Sequence, residues 1–199
     1  LPVPYRQDRM DMESLVQLCK TEAITGLYII PDHQNPTALW MEEKERQQAA
    51  AICQQYHLIC IEDGTYSFLG NKSRTPITKL IPEQSMYIST VSNALSAGLR
   101  IAFVTMPAPW RDRLIKGNSN INVMASPLEA EIVHQSIDCG LASKIVQEKI
   151  HELRRRNALT DAYLSAYTVL GNCRSQFRWL KLPDTWTGHR FEQAAKIQG

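Results

Sequence analysis

Short unbroken apolar runs alternate along this chain with longer stretches in which apolar residues recur every three or four positions. GLYII (26–30), LICIE (58–62), MYIS (86–89) and IAFVTM (101–106) are rich in β-branched and aromatic residues. Runs of this length and composition predict strands buried on both faces of a sheet. DMESLVQLCK precedes the first run with a helical period, and MEEKERQQAAAICQQYH, between the first and second, joins good helix formers to acids in its opening turn. Both features favour helix, the acids by complementing the positive end of the helix dipole. The resulting β, α, β order predicts an α/β fold, a mostly parallel sheet covered by helices on both faces, with ligands received at the carboxyl ends of the strands.

After Pro127 the helical period takes over. Residues 128–138, 141–157 and 158–170 read as helices with a break near Cys139 and Gly140, and FRWLKLP (177–183) reads as a last strand before another helical start. The change of rhythm divides the chain into an expected large domain at 1–156 and the start of a smaller α+β domain at 157–199. The absence of capping structure at either end is the pattern of a piece of a longer polypeptide.

Composition narrows the partners. With 199 residues, 44% of them hydrophobic, the chain can bury a substantial core. Its 22 basic and 20 acidic residues leave a net charge of +2, which gives no bulk electrostatic reason for this chain to bind nucleic acid or an anionic membrane. Five scattered cysteines, none in a C-x-x-C pair, suggest neither a disulfide framework nor a zinc site and fit a reducing, cytoplasmic setting. No apolar run reaches membrane-spanning length.

The chemistry gathers where the strands end. The first runs into PDHQNPTALW, the second into EDGTY, and the third into STVSNALSAGLR; in an open α/β sheet such loops converge on one crevice. They bring an amide (Asn35), a carboxylate (Asp63), a phenol (Tyr66), hydroxyls (Thr90, Ser92) and a guanidinium (Arg100). An arginine beside hydroxyls and a glycine suits a phosphate, and a carboxylate at the far end suits a protonated ring nitrogen. Phosphate at one end and pyridinium at the other describe pyridoxal phosphate. Taken singly, the residues have plainer uses: Asp63 as a turn cap, Asn35-Pro36 as a turn signal, Tyr66 as packing, Arg100 as a surface residue.

The order P-x-x-Q-N-P-T, then I-E-D-x-x-Y, then S-T-x-S-N-x-L-S-x-G-L-R-I resembles the large domain of fold-type I aminotransferases. More closely, it resembles the aminotransferase-like domain of MocR regulators, a branch of the GntR family in which a winged helix-turn-helix is fused to this domain. The resemblance runs from MDMESL to FRWLKLP. It implies that Asn35 and Tyr66 bind the cofactor's phenolic oxygen, that Asp63 pairs with the pyridine nitrogen, and that Thr90, Ser92 and Arg100 hold the phosphate. It also places the Schiff-base lysine immediately after Ser92, where this chain has Asn93. A second departure is Ala38, where the family often has glycine.

An asparagine amide is neither nucleophilic nor basic at neutral pH, so it can neither form the covalent link to the cofactor nor move a proton on the substrate carbon. Asn93 is therefore read as a degenerate site, as a lysine replaced to trap a complex, or as a position where the natural protein has another residue. Two functions stay open: an effector-sensing and dimerising domain of a regulator that binds pyridoxal phosphate and an amino compound, or a working aminotransferase acting between an amino acid and a 2-oxo acid. A cofactor-free dimerisation scaffold is the third. The resemblance implies a homodimer, and contact with DNA only through a domain outside this chain. The run Arg154-Arg155-Arg156 reads as a solvated helix face. His33 lies near the first motif, while His57, His134, His151 and His189 have no ligand-like spacing and the four tryptophans read as packing.

Overall fold

The computed structural model describes residues 1–70 and 74–198. A small antiparallel pair, β1 (Tyr5–Arg6) and β2 (Arg9–Met10), leads into helix α1 (Met12–Thr21). Asp11 starts that helix by accepting from the main-chain N–H groups of Glu13 and Ser14, which satisfies donors that have no partner within the helix. The central sheet follows in chain order: β3 (Gly26–Ile29), β4 (Ile59–Asp63), β5 (Ser85–Thr90) and β6 (Ala102–Thr105). The first three are parallel and β6 returns antiparallel. The expected mostly parallel sheet is present, with all four strands where the apolar runs lie.

Helix α2 (Glu43–Gln55) crosses between β3 and β4, and the short α3 (Ile77–Leu80) lies between β4 and β5. Glu42 and Glu45 form a reciprocal capping box at the start of α2, which fixes its entry beside the first strand-end loop. Leu27, Ile29, Cys60 and Leu58 pack with Leu15, Ala49, Ile52, Cys53, Ile77 and Ile81 in one core. The reading of strands buried on both faces needs correction here. Side chains alternate across a strand, and the positions opposite this core keep Tyr28, Ile59 and Val104 exposed, while all four residues of β6 are exposed. Helices α1, α2 and α3 make the core on one face; among the described residues the other face is open at these positions.

The rest of the chain is mostly helical: α4 (Val91–Ala94), α5 (Arg111–Asn122), α6 (Pro127–Asp138) and α7 (Leu141–Tyr163). The break between α6 and α7 falls at Gly140, whose φ of +78° lies in the left-handed region that glycine adopts without strain. The expected separate helix at 158–170 does not form. Helix α7 runs unbroken through Asn157 to Tyr163, and Val169–Leu170 is instead strand β7, paired antiparallel with β8 (Trp179–Leu180). Asn157 holds this junction: its side-chain amide donates to the carbonyls of Leu153, Cys173 and Ser175. A polar residue buried under α7 thus ties the helix to the turn before β8. Helix α8 (Gly188–Gln198) closes the described chain. No described helix is long and apolar enough to cross a membrane.

A crevice at the strand ends

Parallel strands bring their carboxyl ends to one side, and the first two strand-end loops meet there through Asn35 and Tyr66. Asp63 is the last residue of β4. Its Oδ1 accepts from the main-chain N–H of Thr65 at 2.9 Å and from the Thr65 hydroxyl, and its Oδ2 accepts from the Tyr28 hydroxyl at 2.5 Å. A carboxylate offers about four acceptor positions, so three donors hold its plane and leave capacity for one more. Tyr28 is missing from the motif reading, yet its signal was in the pattern. It alternates with Leu27 and Ile29, and the parallel register sets it beside Ile61, two residues from Asp63 on the same face. Burial and the bond to Asp63 push the Tyr28 hydroxyl up to about 12, so it remains a donor throughout the physiological range.

Asn35 lies on the loop after β3 and its amide nitrogen approaches the Tyr66 hydroxyl at 3.5 Å. Tyr66 in turn meets Phe177 edge to face, with ring centroids 5.3 Å apart. Tyr66 and Phe177 line one wall of a cavity of about 730 Å³ whose other wall is α7, with Leu141, Lys149 and Leu153. The loop carrying Asn35 is pinned from below. Gln34 bonds both the main chain and the hydroxyl of Thr37, and His33 is buried with its ring Nδ1 3.3 Å from the Ser175 hydroxyl and edge-on to Trp40. His33 supports the loop from inside and is no part of the open crevice; burial holds it below the ordinary histidine value. His57, His134, His151 and His189 are exposed.

The third loop is held by Thr90. Its hydroxyl accepts from the Ser92 N–H at 3.1 Å and donates to the Ile101 carbonyl at 3.1 Å, while the Val91 N–H reaches the same carbonyl. Thr90 thus ties the start of α4 to the residue after Arg100, and both roles of its hydroxyl are already used. The Ser92 and Arg100 side chains form no hydrogen bond among the described residues, and Arg100 is exposed. Arg100 sits at φ +49°, ψ +25°, a left-handed conformation that costs a residue with a Cβ about 1–2 kcal/mol. Ala38, at φ +58°, is in the same region, where glycine would be free of strain. Asn93 is half-buried on α4, and the carbonyls of Asn93 and Ala94 accept from Lys149 Nζ at 2.6 and 3.1 Å. Lys149, on a helix 56 residues away in sequence, had no motif to announce it. Among the described residues there is no group of His, Cys, Asp or Glu arranged for a metal.

The α/β fold, with its mostly parallel sheet, matches that of pyridoxal-phosphate-dependent aminotransferases. The chain belongs to the aminotransferase class I and II family, whose model matches residues 2–185. It is 35% identical over 199 residues to the uncharacterized HTH-type transcriptional regulator YdeF of Bacillus subtilis, covering 100% of this chain and 43% of the regulator. The fold is similar to that of an archaeal alanine:glyoxylate aminotransferase, with a TM-score of 0.85 at 20% identity, over 100% of this chain and 52% of that one. It is also similar to LysN, the α-aminoadipate aminotransferase of Thermus thermophilus, solved with N-(5'-phosphopyridoxyl)-L-leucine, with a TM-score of 0.82 at 22% identity, over 98% and 53% of the two chains. The chain thus spans about half the length of the relatives it matches.

Proposed function

We propose that this chain is the cofactor-binding, effector-sensing and dimerising part of a cytoplasmic regulator of the MocR type, and that the cofactor is pyridoxal phosphate. The observation that carries the reading is a contrast within one crevice. The polar set for the cofactor is kept while the position expected to bind it covalently is Asn93. Likeness to an HTH-type regulator over the whole chain, and a solved relative in complex with a phosphopyridoxyl amino acid, support it.

The donor set fits the group. Asp63 has acceptor capacity left for a ring N–H, and the Tyr28 and Thr65 bonds hold its carboxylate in place for that role. Asn35 and Tyr66 stand together as donors for a phenolic oxygen. Arg100 and Ser92 have uncommitted donors for a phosphate among the described residues, and Thr90 shapes that loop through its bonds to Ser92 and Ile101. When bound, the cofactor supplies an aldehyde and an electron-withdrawing ring. Asn93, an amide, cannot serve as base or nucleophile beside it, so ordinary turnover is suppressed and occupancy becomes the signal. An amino compound that binds better to one arrangement of the dimer shifts the population toward it, which is how a distant DNA-binding domain would be informed.

The test is a titration of the full-length protein with pyridoxal phosphate, followed by absorbance and by retention through gel filtration. Retention by the natural protein, with affinity reduced at least about tenfold in Arg100→Ala, is the expected result. Failure of the natural protein to retain the cofactor would leave the scaffold reading, and steady transamination of an amino acid would leave the enzyme.

A further inference from the structure

Lys149 stands near the middle of α7, outside every strand-end motif, and reaches the main chain of α4. Its Nζ donates to the carbonyl oxygens of Asn93 and Ala94. The 2.6 Å contact to the Asn93 oxygen, with standard main-chain bond lengths, places the amine within about 5 Å of the Asn93 Cα. The amine thus lies against the main chain of the residue at which the resemblance places the Schiff-base lysine. Lys149 also borders the cavity that Tyr66 and Phe177 line.

We propose that Lys149 supplies the amine that Asn93 lacks, its Nζ joining the aldehyde carbon of pyridoxal phosphate in the crevice. The inference rests on the cofactor reading above. The step balances without a redox partner. The neutral amine attacks the carbonyl carbon, a carbon–nitrogen double bond forms, and the carbonyl oxygen departs as water with the two amine protons. Protonation of the product restores one N–H for one of the two main-chain carbonyls.

Local chemistry favours this use. A neutral amine that donates both N–H groups to the carbonyls of residues 93 and 94 directs its lone pair away from that main chain. Burial also holds Lys149 below the ordinary lysine value, which raises the fraction of neutral, nucleophilic amine. Any donor could cap the last carbonyls of a four-residue helix. The amine's residue also lines the cavity that Tyr66 borders, a position that capping does not require.

The experiment loads the full-length protein with pyridoxal phosphate and reduces it with borohydride. The modified lysine is located by peptide mass spectrometry, and retention of unreduced cofactor is measured separately. One phosphopyridoxyl group per chain on Lys149 is expected. Lys149→Arg keeps a cation and donors for the two carbonyls, and should lose the label completely while still retaining cofactor. Asn93→Lys should move the label to position 93. Retained cofactor with no label, or with label only on exposed lysines such as Lys44, overturns the proposal and leaves Lys149 a cap. No retained cofactor overturns the cofactor reading and this inference together. If Lys149→Arg does not fold, the site of labelling in the natural protein decides alone.

Discussion

Glu62 and Asp63 are adjacent in sequence, and the pleat of β4 sends them to opposite faces and opposite fates. Glu62 points into the core, where it accepts from the Thr78 N–H and hydroxyl at 2.8 Å and lies 3.7 Å from the Arg46 guanidinium. Arg46 is 1% exposed and held on several sides: it donates to Asp32 at 2.7 Å and to the carbonyls of Met41 and Pro31. Around the crevice the pattern reverses. Asp63, Ser92 and Arg100 keep acceptor or donor capacity that nothing among the described residues fills. The buried ion-pair network of Arg46, Asp32 and Glu62 builds the fold, whereas Asp63, Ser92 and Arg100 are left with capacity for a ligand.

The sharpest way to break this contrast is to exchange arginines. Arg46→Met leaves Asp32 and Glu62 without their cation in the core, and should destabilise the protein by about 3–5 kcal/mol. Arg100→Ala, on the exposed loop, should change stability by no more than about 0.5 kcal/mol. Urea unfolding of both variants checks the pair. Equal losses would show that the two arginines serve one architecture and would dissolve the distinction.

The carboxylates give the next largest effect. Asp63→Asn retains an oxygen for the Thr65 bonds and removes the charge, so pyridoxal phosphate binding should weaken at least about tenfold, roughly 1.4 kcal/mol, with little loss of stability. Glu62→Gln should do the converse, because an amide beside Arg46 no longer balances its charge. A cofactor titration and a thermal melt on each variant separate the two. Asp63→Asn with unchanged cofactor affinity would remove Asp63 from the proposed ring-nitrogen site.

How much of this could be read in advance differs between the two regions. The strand positions and the three loops were legible because strand ends in a parallel sheet converge, whatever the details of packing. Of the loop residues, Asn35 and Tyr66 come within 3.5 Å of each other, while Thr90 bonds within its own loop. Thr90 was legible as a member of the loop but not as its cap, since that depends on where the Ile101 carbonyl lands. Burial of β6 on both faces was misread, because a continuous apolar run records what a strand can bury and not what covers it. The helix proposed at 158–170 failed because the junction is decided by Asn157 and the β7–β8 pairing, both long-range. Lys149 was invisible for the same reason: nothing local to α7 tells that its amine reaches Asn93.

His33 offers a smaller test of loop support. Burial keeps its ring neutral when folded, so its contribution is complete above the ordinary value of 6.5 and declines as pH falls through 6.5 toward the lower folded value, where the unfolded chain takes up a proton first. His33→Asn, a residue that tolerates positive φ, should lower stability at neutral pH. It should also flatten the decline on the acid side, as followed by thermal melts across that range. An unchanged acid slope would mean that other groups produce it.

The smallest expected effect belongs to Tyr28, on the crevice side of the comparison. Its hydroxyl is raised from 10.0 to about 12, first by burial and then by the bond to Asp63. The folded chain therefore holds this proton at pH values where the unfolded chain has released it. The stabilisation is complete below pH 10 and is lost as pH rises from 10 toward 12. Tyr5 and Tyr87 are raised as well and share that alkaline decline, so Tyr28→Phe should remove only part of it. Because Tyr28 is 59% exposed, solvent screening keeps its part modest. Stability curves of the natural protein and Tyr28→Phe between neutral pH and pH 12 read the difference. A slope that Tyr28→Phe leaves intact would mean that the Tyr28–Asp63 bond is too loose in solution to fix the carboxylate, and the held but incomplete character assigned to Asp63 would then have to come from Thr65 alone.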